Sequence, residues 1–256
     1  MPDLNTLPLL LKQCGLPMIL DNWEKLEEQA ISKKWPYSTY LAHLCELEIA
    51  QRQQRRIARH TKEGKLPPAK TLATFKFDAI PSLNYSQIQA LANDISWVKD
   101  AKNLILFGPS GVGKSHLAAA IAYRLVEQGM RVLFTSTIEL VQKLQEAKNT
   151  YKLPNAIAKL SRVHALILDD IGYVKKDESE TSVLFDLIAA RYETGSMIIT
   201  ANQPFGEWDS IFPDNMMAVA AIDRLVHHST IINIQEKSYR TKKHHENAKK
   251  TKKETG

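Results

Sequence analysis

Cysteine is almost absent: only Cys14 and Cys45 occur in 256 residues, with no C-x-x-C spacing and no histidine at ligand spacing. Neither a disulfide framework nor a structural zinc site is indicated. Both thiols fall at apolar positions of predicted helices, where they are expected to behave as small hydrophobes. The pairs His227-His228 and His244-His245 also lack partners at metal spacing, so ligation by them is not expected. Nowhere do about 18 apolar residues run together, which argues against a membrane span. The Leu7-Pro8-Leu9-Leu10-Leu11 run has no basic segment ahead of it, as a secretory leader would. A cytoplasmic protein with no membrane partner is the expectation.

What is present is an ordinary globular composition, 44% hydrophobic, long enough for one large domain or a domain with an appendage. The net charge of +6 is unevenly placed. Residues 235–256 hold eight basic and three acidic residues, net +5, and residues 1–70 hold eleven and eight, net +3. The middle is left at about −2. Basic ends around a near-neutral middle point to a polyanion partner, nucleic acid first, with plain solubility as the alternative.

The chain is organised around Gly108-Pro109-Ser110-Gly111-Val112-Gly113-Lys114-Ser115, between the apolar run 103–107 and a helical pattern from His116. It fits G-x-x-x-x-G-K-[ST] in its strand-before, helix-after context. Its glycines let backbone N–H groups turn onto phosphate oxygens at the positive end of a helix. Lys114 reaches the outer phosphates and the Ser115 hydroxyl ligates Mg²⁺, so the loop reads as an ATP-type site.

Ahead of it, residues 1–66 read as three helices, at 6–14, 16–32 and about 38–61. In the third, Leu41, Leu44 and Cys45 form an apolar stripe, and Arg52, Arg55, Arg56 and Arg59 share one face by their spacing. Guanidinium forks match phosphate oxygens, and Glu63 is the one acid between Gln51 and Lys70. A solvated helix face is the competing reading. Gly64-Lys65-Leu66-Pro67-Pro68 breaks the helix. Residues 67–100 follow as linker and leading helix: an aromatic segment, 74–78, expected to pack on the next domain, and a helix over 85–99. Residues 101–240 form the nucleotide-binding domain and 241–256 a basic tail.

Within 101–240, strand and helix alternate, which specifies a parallel, doubly wound α/β sheet. The strand 163–168 ends in Asp169-Asp170, at the ligand crevice of such a sheet. Asp169 is placed to hold Mg²⁺ and Asp170 to orient or deprotonate the attacking water. Asn202 follows the strand 197–200, where an amide can hold that water, although a strand-ending Asn is also common turn chemistry.

Taken together, these segments resemble the IstB-type ATPases, AAA+ helpers encoded beside a transposase in bacterial insertion sequences. More distantly they are similar to DnaC-type helicase loaders. The resemblance rests on the Leu-rich N-terminal helices with Glu48 to Arg59, Lys70-Thr71-Leu72, Phe75-Lys76-Phe77 and the phosphate loop through His116-Leu117-Ala118. It continues in Leu168-Asp169-Asp170-Ile171-Gly172, Ile199-Thr200-Ala201-Asn202-Gln203, Asp223-Arg224-Leu225 and Ser238-Tyr239-Arg240. It implies a P-loop AAA+ sheet behind a small all-helical DNA-binding domain. The activity it implies is an ATPase that oligomerises with ATP on duplex DNA and assists its cognate transposase in target selection. By motif position Asn202 is similar to the sensor-1 residue, Arg224 to the arginine finger acting on a neighbour's ATP, and Arg240 to the sensor-2 arginine. The resemblance puts a DNA-facing helical insertion at about 138–160, making Lys143, Lys148, Lys152 and Lys159 candidate phosphate contacts. Two departures stand out. Most AAA+ proteins carry Glu where this chain has Asp170, whose shorter arm implies slow hydrolysis, although this group of helpers commonly carries Asp there. Only 22 residues follow Ile234, fewer than the helical lid of larger AAA+ proteins uses.

Three other readings compete. A helicase loader would need an N-terminal region that grips a helicase, and the arginine stripe favours DNA. A small-molecule kinase would show an Arg-bearing lid, and none is evident. A nucleotide-gated binding protein with negligible turnover stays open because of Asp170.

Overall fold

The structure, a computed structural model, describes residues 6–172, 178–204, 206, 208 and 215–236. The chain divides into two compact units, Met1–Arg59 and His60–Gly256. The segment around the expected linker stays with the second unit for a local reason. The Phe134 N–H donates to the Gly64 carbonyl at 2.8 Å, adding Gly64 to a sheet edge. A Cβ on Gly64 would lie 2.8 Å from both the His60 and Val132 carbonyl oxygens, so the approach needs glycine.

The first unit is made of helices α1 (Leu7–Gln13), α2 (Pro17–Ser32) and α3 (Tyr37–Glu63), the last running past the unit boundary. Its apolar core is thin, with Ile19 and Leu44 buried. The expected stripe on α3 is only partly realised: Leu44 points inward, whereas Leu41 is 58% exposed and both cysteines are exposed. In place of further apolar packing stands a polar clamp centred on buried Glu48. Its carboxylate accepts from the Met18 N–H at 2.9 Å and from Arg52 Nε at 3.0 Å, while Arg52 also donates to the Gly15 carbonyl at 2.9 Å. Burial pushes the Glu48 carboxyl up, but these donors outweigh it and hold it below the usual range.

In the second unit, two short 3₁₀ turns (Leu72–Thr74 and Phe77–Ala79) precede α4 (Tyr85–Asn93) and α5 (Ser96–Lys99). The sequence pattern predicts a single helix over 85–99; Asp94 divides it. Its carboxylate accepts from the Ser96 N–H at 2.8 Å and hydroxyl at 2.6 Å, and so opens a new helix. Then come β1 (Asn103–Phe107), α6 (Lys114–Glu127), β2 (Val132–Ser136), α7 (Thr137–Asn149), α8 (Leu153–Leu160) and β3 (Ala165–Asp169). After these follow α9 (Glu178–Arg191), β4 (Ser196–Ala201), α10 (Asn215–Val226) and β5 (Ser229–Asn233).

All pairings are parallel and the sheet order is β2-β3-β4-β1-β5. Strands β1 and β4 are buried throughout, as is β3 until Asp169, because helices cover both faces; this is why they read as apolar runs rather than alternating patterns. From β1 the chain crosses to the far edge at β2, so the loop after β1 opens at the crevice where strand order reverses.

Candidate nucleotide-binding site

The phosphate loop leaves β1 at Gly108, whose φ of +147° only glycine adopts readily. A Cβ there would stand 2.4 Å from the Ile234 carbonyl oxygen, because the chain after β5 closes over the loop through the Ile234 N–H bonded to the Phe107 carbonyl at 2.8 Å. Helix α6 begins at Lys114 rather than at His116 as the pattern suggested, so Lys114, Ser115 and His116 form its first turn, the positive end of the helix at the loop.

A cavity of about 420 Å³ opens over this turn. It gathers Ser110 through His116 from the loop, Asp170 from the end of β3 and Asn202 from the end of β4. Three stretches far apart in sequence thus meet at one cavity. Lys114 is buried, and its ammonium donates to the carbonyls of Gly108 and Pro109 at 2.8 and 2.9 Å and to Asn202 Oδ1 at 2.6 Å.

The Asp169 carboxylate and the Asp170 backbone are both held by a residue that the sequence reading did not single out. Thr200 Oγ1 donates to Asp169 Oδ1 at 2.6 Å and accepts from the Asp170 N–H at 2.9 Å. Asp170 has φ +57°, a left-handed turn that carries its side chain from the strand line to the cavity wall. A β-branched hydroxyl in the neighbouring strand, one position before a strand end, is the sequence signal for such a brace.

The remaining wall comes from the aromatic segment expected only to pack on this domain. Lys70, Thr74, Phe75, Ala79 and Ile80 line the cavity. The Phe75 ring meets the His116 ring edge-on at 5.2 Å and would lie 3.1 Å from a Cβ on Gly113. His116 Nε2–H donates to the Thr71 carbonyl at 3.0 Å, and burial lowers the imidazole pKa. An apolar slot beside a phosphate cradle suits a purine base.

Elsewhere the structure sorts the predicted residues. Arg224 lies on α10, with its guanidinium over the Phe185 ring at 5.1 Å and donating to the Ala220 carbonyl at 3.0 Å; among the described residues it makes no ion pair with Asp223. Arg240 lies outside the described residues. In the first unit Arg55, Arg56 and Arg59 are exposed, whereas Arg52 belongs to the Glu48 clamp; the four are not equivalent. Lys143, Lys152 and Lys159 line one open groove between α7 and α8 together with Arg162, which the sequence reading missed. Lys143 is paired there with Glu139, and Lys148 turns instead to the Ser182 hydroxyl at 3.1 Å. At the corner between these helices Tyr151 is 96% exposed.

A protein of Sinorhizobium fredii named as an insertion sequence ATP-binding protein is 53% identical over 234 residues, covering 91% of this chain and 78% of its own. The IS21 ATP-binding protein of Pseudomonas aeruginosa is 38% identical over 239 residues, covering 93% and 90%. Among solved structures the fold is similar to AMPPCP-bound DnaA from Aquifex aeolicus, with TM-score 0.55, 22% identity and 72% and 56% of the two chains covered. It is also similar to DnaI, with TM-score 0.53, 22% identity and 64% and 90% covered. The family model described as IstB-like ATP binding protein matches residues 9–247. No described helix is long and apolar enough to cross a membrane. Matched by this family model over nearly its whole length, the chain belongs to the family of IstB-like ATP binding proteins.

Proposed function

We propose that this ATP-binding protein hydrolyses ATP, assembles with ATP into a homo-oligomer on duplex DNA, and assists a transposase in choosing its target. The observation that carries the hydrolytic reading is the convergence of Lys114, Asp170 and Asn202 on one cavity. Lys114 supplies positive charge to the outer phosphates. The carboxylate of Asp170 accepts a proton from water, and the Asn202 amide orients that water against the γ-phosphate. Ser115 and Asp169 offer a hydroxyl and a carboxylate oxygen, hard donors that suit Mg²⁺. Bound there, Mg²⁺ would neutralise charge on the transferring phosphoryl group. Phe75, Ile80 and the edge of His116 form the apolar wall for the base.

Arg224 supports the oligomeric part. A guanidinium held over Phe185 by its ring face and anchored by a backbone carbonyl is kept without an acidic partner among the described residues. Such a cation suits the phosphates of a neighbouring subunit. For DNA, the supporting features are exposed Arg55, Arg56 and Arg59 and, separately, the groove with Lys152, Lys159 and Arg162. Transposase assistance rests on the insertion-sequence names of the relatives. The reading is tested by measuring ATP hydrolysis by the full chain with and without linear duplex DNA. Stimulation by duplex, abolished in Asp170→Asn, is the expected result; equal turnover without any DNA binding would overturn it.

A further inference from the structure

The histidine pair His227-His228, without a partner in sequence, acquires one in space. The donor atoms of Glu193, His227 and His228 all lie within 4.8 Å of one another on the surface. We propose that these three side chains form a binding site for a borderline divalent transition ion such as Zn²⁺, joining the turn before β4 to the turn before β5.

The geometry has local causes. Adjacent residues within a helix point apart, but α10 ends at Val226, and in the turn that follows the two imidazoles come together with centroids 4.1 Å apart. Glu193 has φ +56° in the turn after α9, and its Oε1 lies 3.9 Å from His228 Nε2. The Tyr192 hydroxyl stands 3.0 Å from His227 Nδ1 and fixes that ring. Such a hydrogen-bonded neighbour is what orients a ligating imidazole.

An exposed His–Glu contact of 3.9 Å contributes little as an ion pair, so charge pairing alone is a poor reason for three donors to converge. Two imidazoles and one carboxylate form the N₂O set that suits zinc, cobalt and nickel rather than magnesium or calcium. Zinc bonds of about 2.0–2.2 Å need donors roughly 3.3 Å apart. Side chains about half exposed reach that by small rotations.

The site is separate from the nucleotide cavity. Both turns precede their strands, and Asn103 N–H at the start of β1 donates to the His228 carbonyl at 2.8 Å. The phosphate loop leaves the other end of β1, five residues and roughly 16 Å away. The expected role is a structural clip, independent of the ATPase reading.

The test is a Co²⁺ titration of the full chain read by visible absorption, followed by Zn²⁺. Saturable one-site binding with a ligand-field band, displaced by Zn²⁺, is expected. Glu193→Gln and His228→Ala should each weaken it at least about tenfold, and Tyr192→Phe by about tenfold. His244→Ala combined with His245→Ala should leave the band intact. Zn²⁺ should raise the Tm of the native chain but not of His228→Ala. Retained ATP binding checks that the variants are folded. The proposal is overturned if no saturable band forms. It is equally overturned if folded Glu193→Gln and His228→Ala bind as the native chain does, or if the band depends on His244 and His245.

Discussion

Lys114 and Asn202 are joined directly, the ammonium at the start of α6 donating to the amide oxygen just past β4 at 2.6 Å. Phosphates entering the loop therefore compete with Asn202 and two loop carbonyls for one ammonium. Lys114→Ala should abolish productive ATP binding, because this ammonium is the cation that the loop itself brings to the outer phosphates. Asn202→Ala should do the opposite to affinity: without one charge-assisted competitor ATP binds several-fold more tightly, up to about tenfold, while turnover falls. A fluorescent-nucleotide titration with single-turnover assays separates the two. If Asn202→Ala binds as poorly as Lys114→Ala, the contact is part of the binding geometry and not a competitor.

Asp170→Asn should keep ATP bound and slow hydrolysis by about 100-fold or more, since an amide cannot take the proton. Thr200→Val removes the hydroxyl that touches both carboxylate residues, and should lower kcat about tenfold with KM little changed. Normal kcat in Thr200→Val would make the brace structural only.

His116 gives the cavity wall a pH dependence. Burial holds its folded pKa below the ordinary value of 6.5, so the neutral form is favoured by folding. That contribution is complete above pH 6.5 and fades as pH falls from there toward the folded pKa. His116→Asn should flatten the fall in Tm and in ATP affinity below pH 6.5. An unchanged profile would assign the effect to His164, which burial also lowers.

Arg191 is buried, with its pKa lowered by burial to about 10, and donates to the carbonyls of Leu160, Val163, His164 and Ser196. It fastens the end of α8 and the start of β3 to β4. Arg191→Met leaves those oxygens in a dry site and should cost about 3 kcal/mol or more, lowering Tm by about 10 °C. A native-like melting curve would show that the carbonyls find other donors.

Mixing tests the role of Arg224. Arg224→Ala retains a nucleotide site and Lys114→Ala retains the arginine, so mixed interfaces should recover hydrolysis that each variant alone lacks. No recovery in folded, co-assembling proteins would confine Arg224 to its own subunit.

Much of the second unit was legible because its determinants are local in sequence. The glycine pattern dictates the phosphate loop, the apolar runs are strands buried on both faces, and Asp169-Asp170 ends one of them. What periodicity could not convey was side-chain partnership. The arginine spacing on α3 put four residues on one face, but only the fold shows that Glu48 and Gly15 engage Arg52. Thr200 was one more strand residue until β3 and β4 paired. Phe75 read as packing because its cavity forms only when the turns after residue 71 fold back on α6. Glu193 and His228 lie 35 positions apart, beyond any spacing rule for metal ligands.

Whether ATP governs engagement of duplex DNA is decided by fluorescence anisotropy of a labelled duplex over a salt series, with ATP and without. The native chain should bind tightly only with ATP, and Lys114→Ala should show the same weak affinity in both conditions. Replacing Arg55, Arg56 and Arg59 with Glu should weaken binding and flatten the log–log salt dependence by about 0.9 for each phosphate no longer neutralised. Affinity indifferent to ATP, with a slope unmoved by those three charge reversals, would contradict ATP-dependent DNA binding through this face.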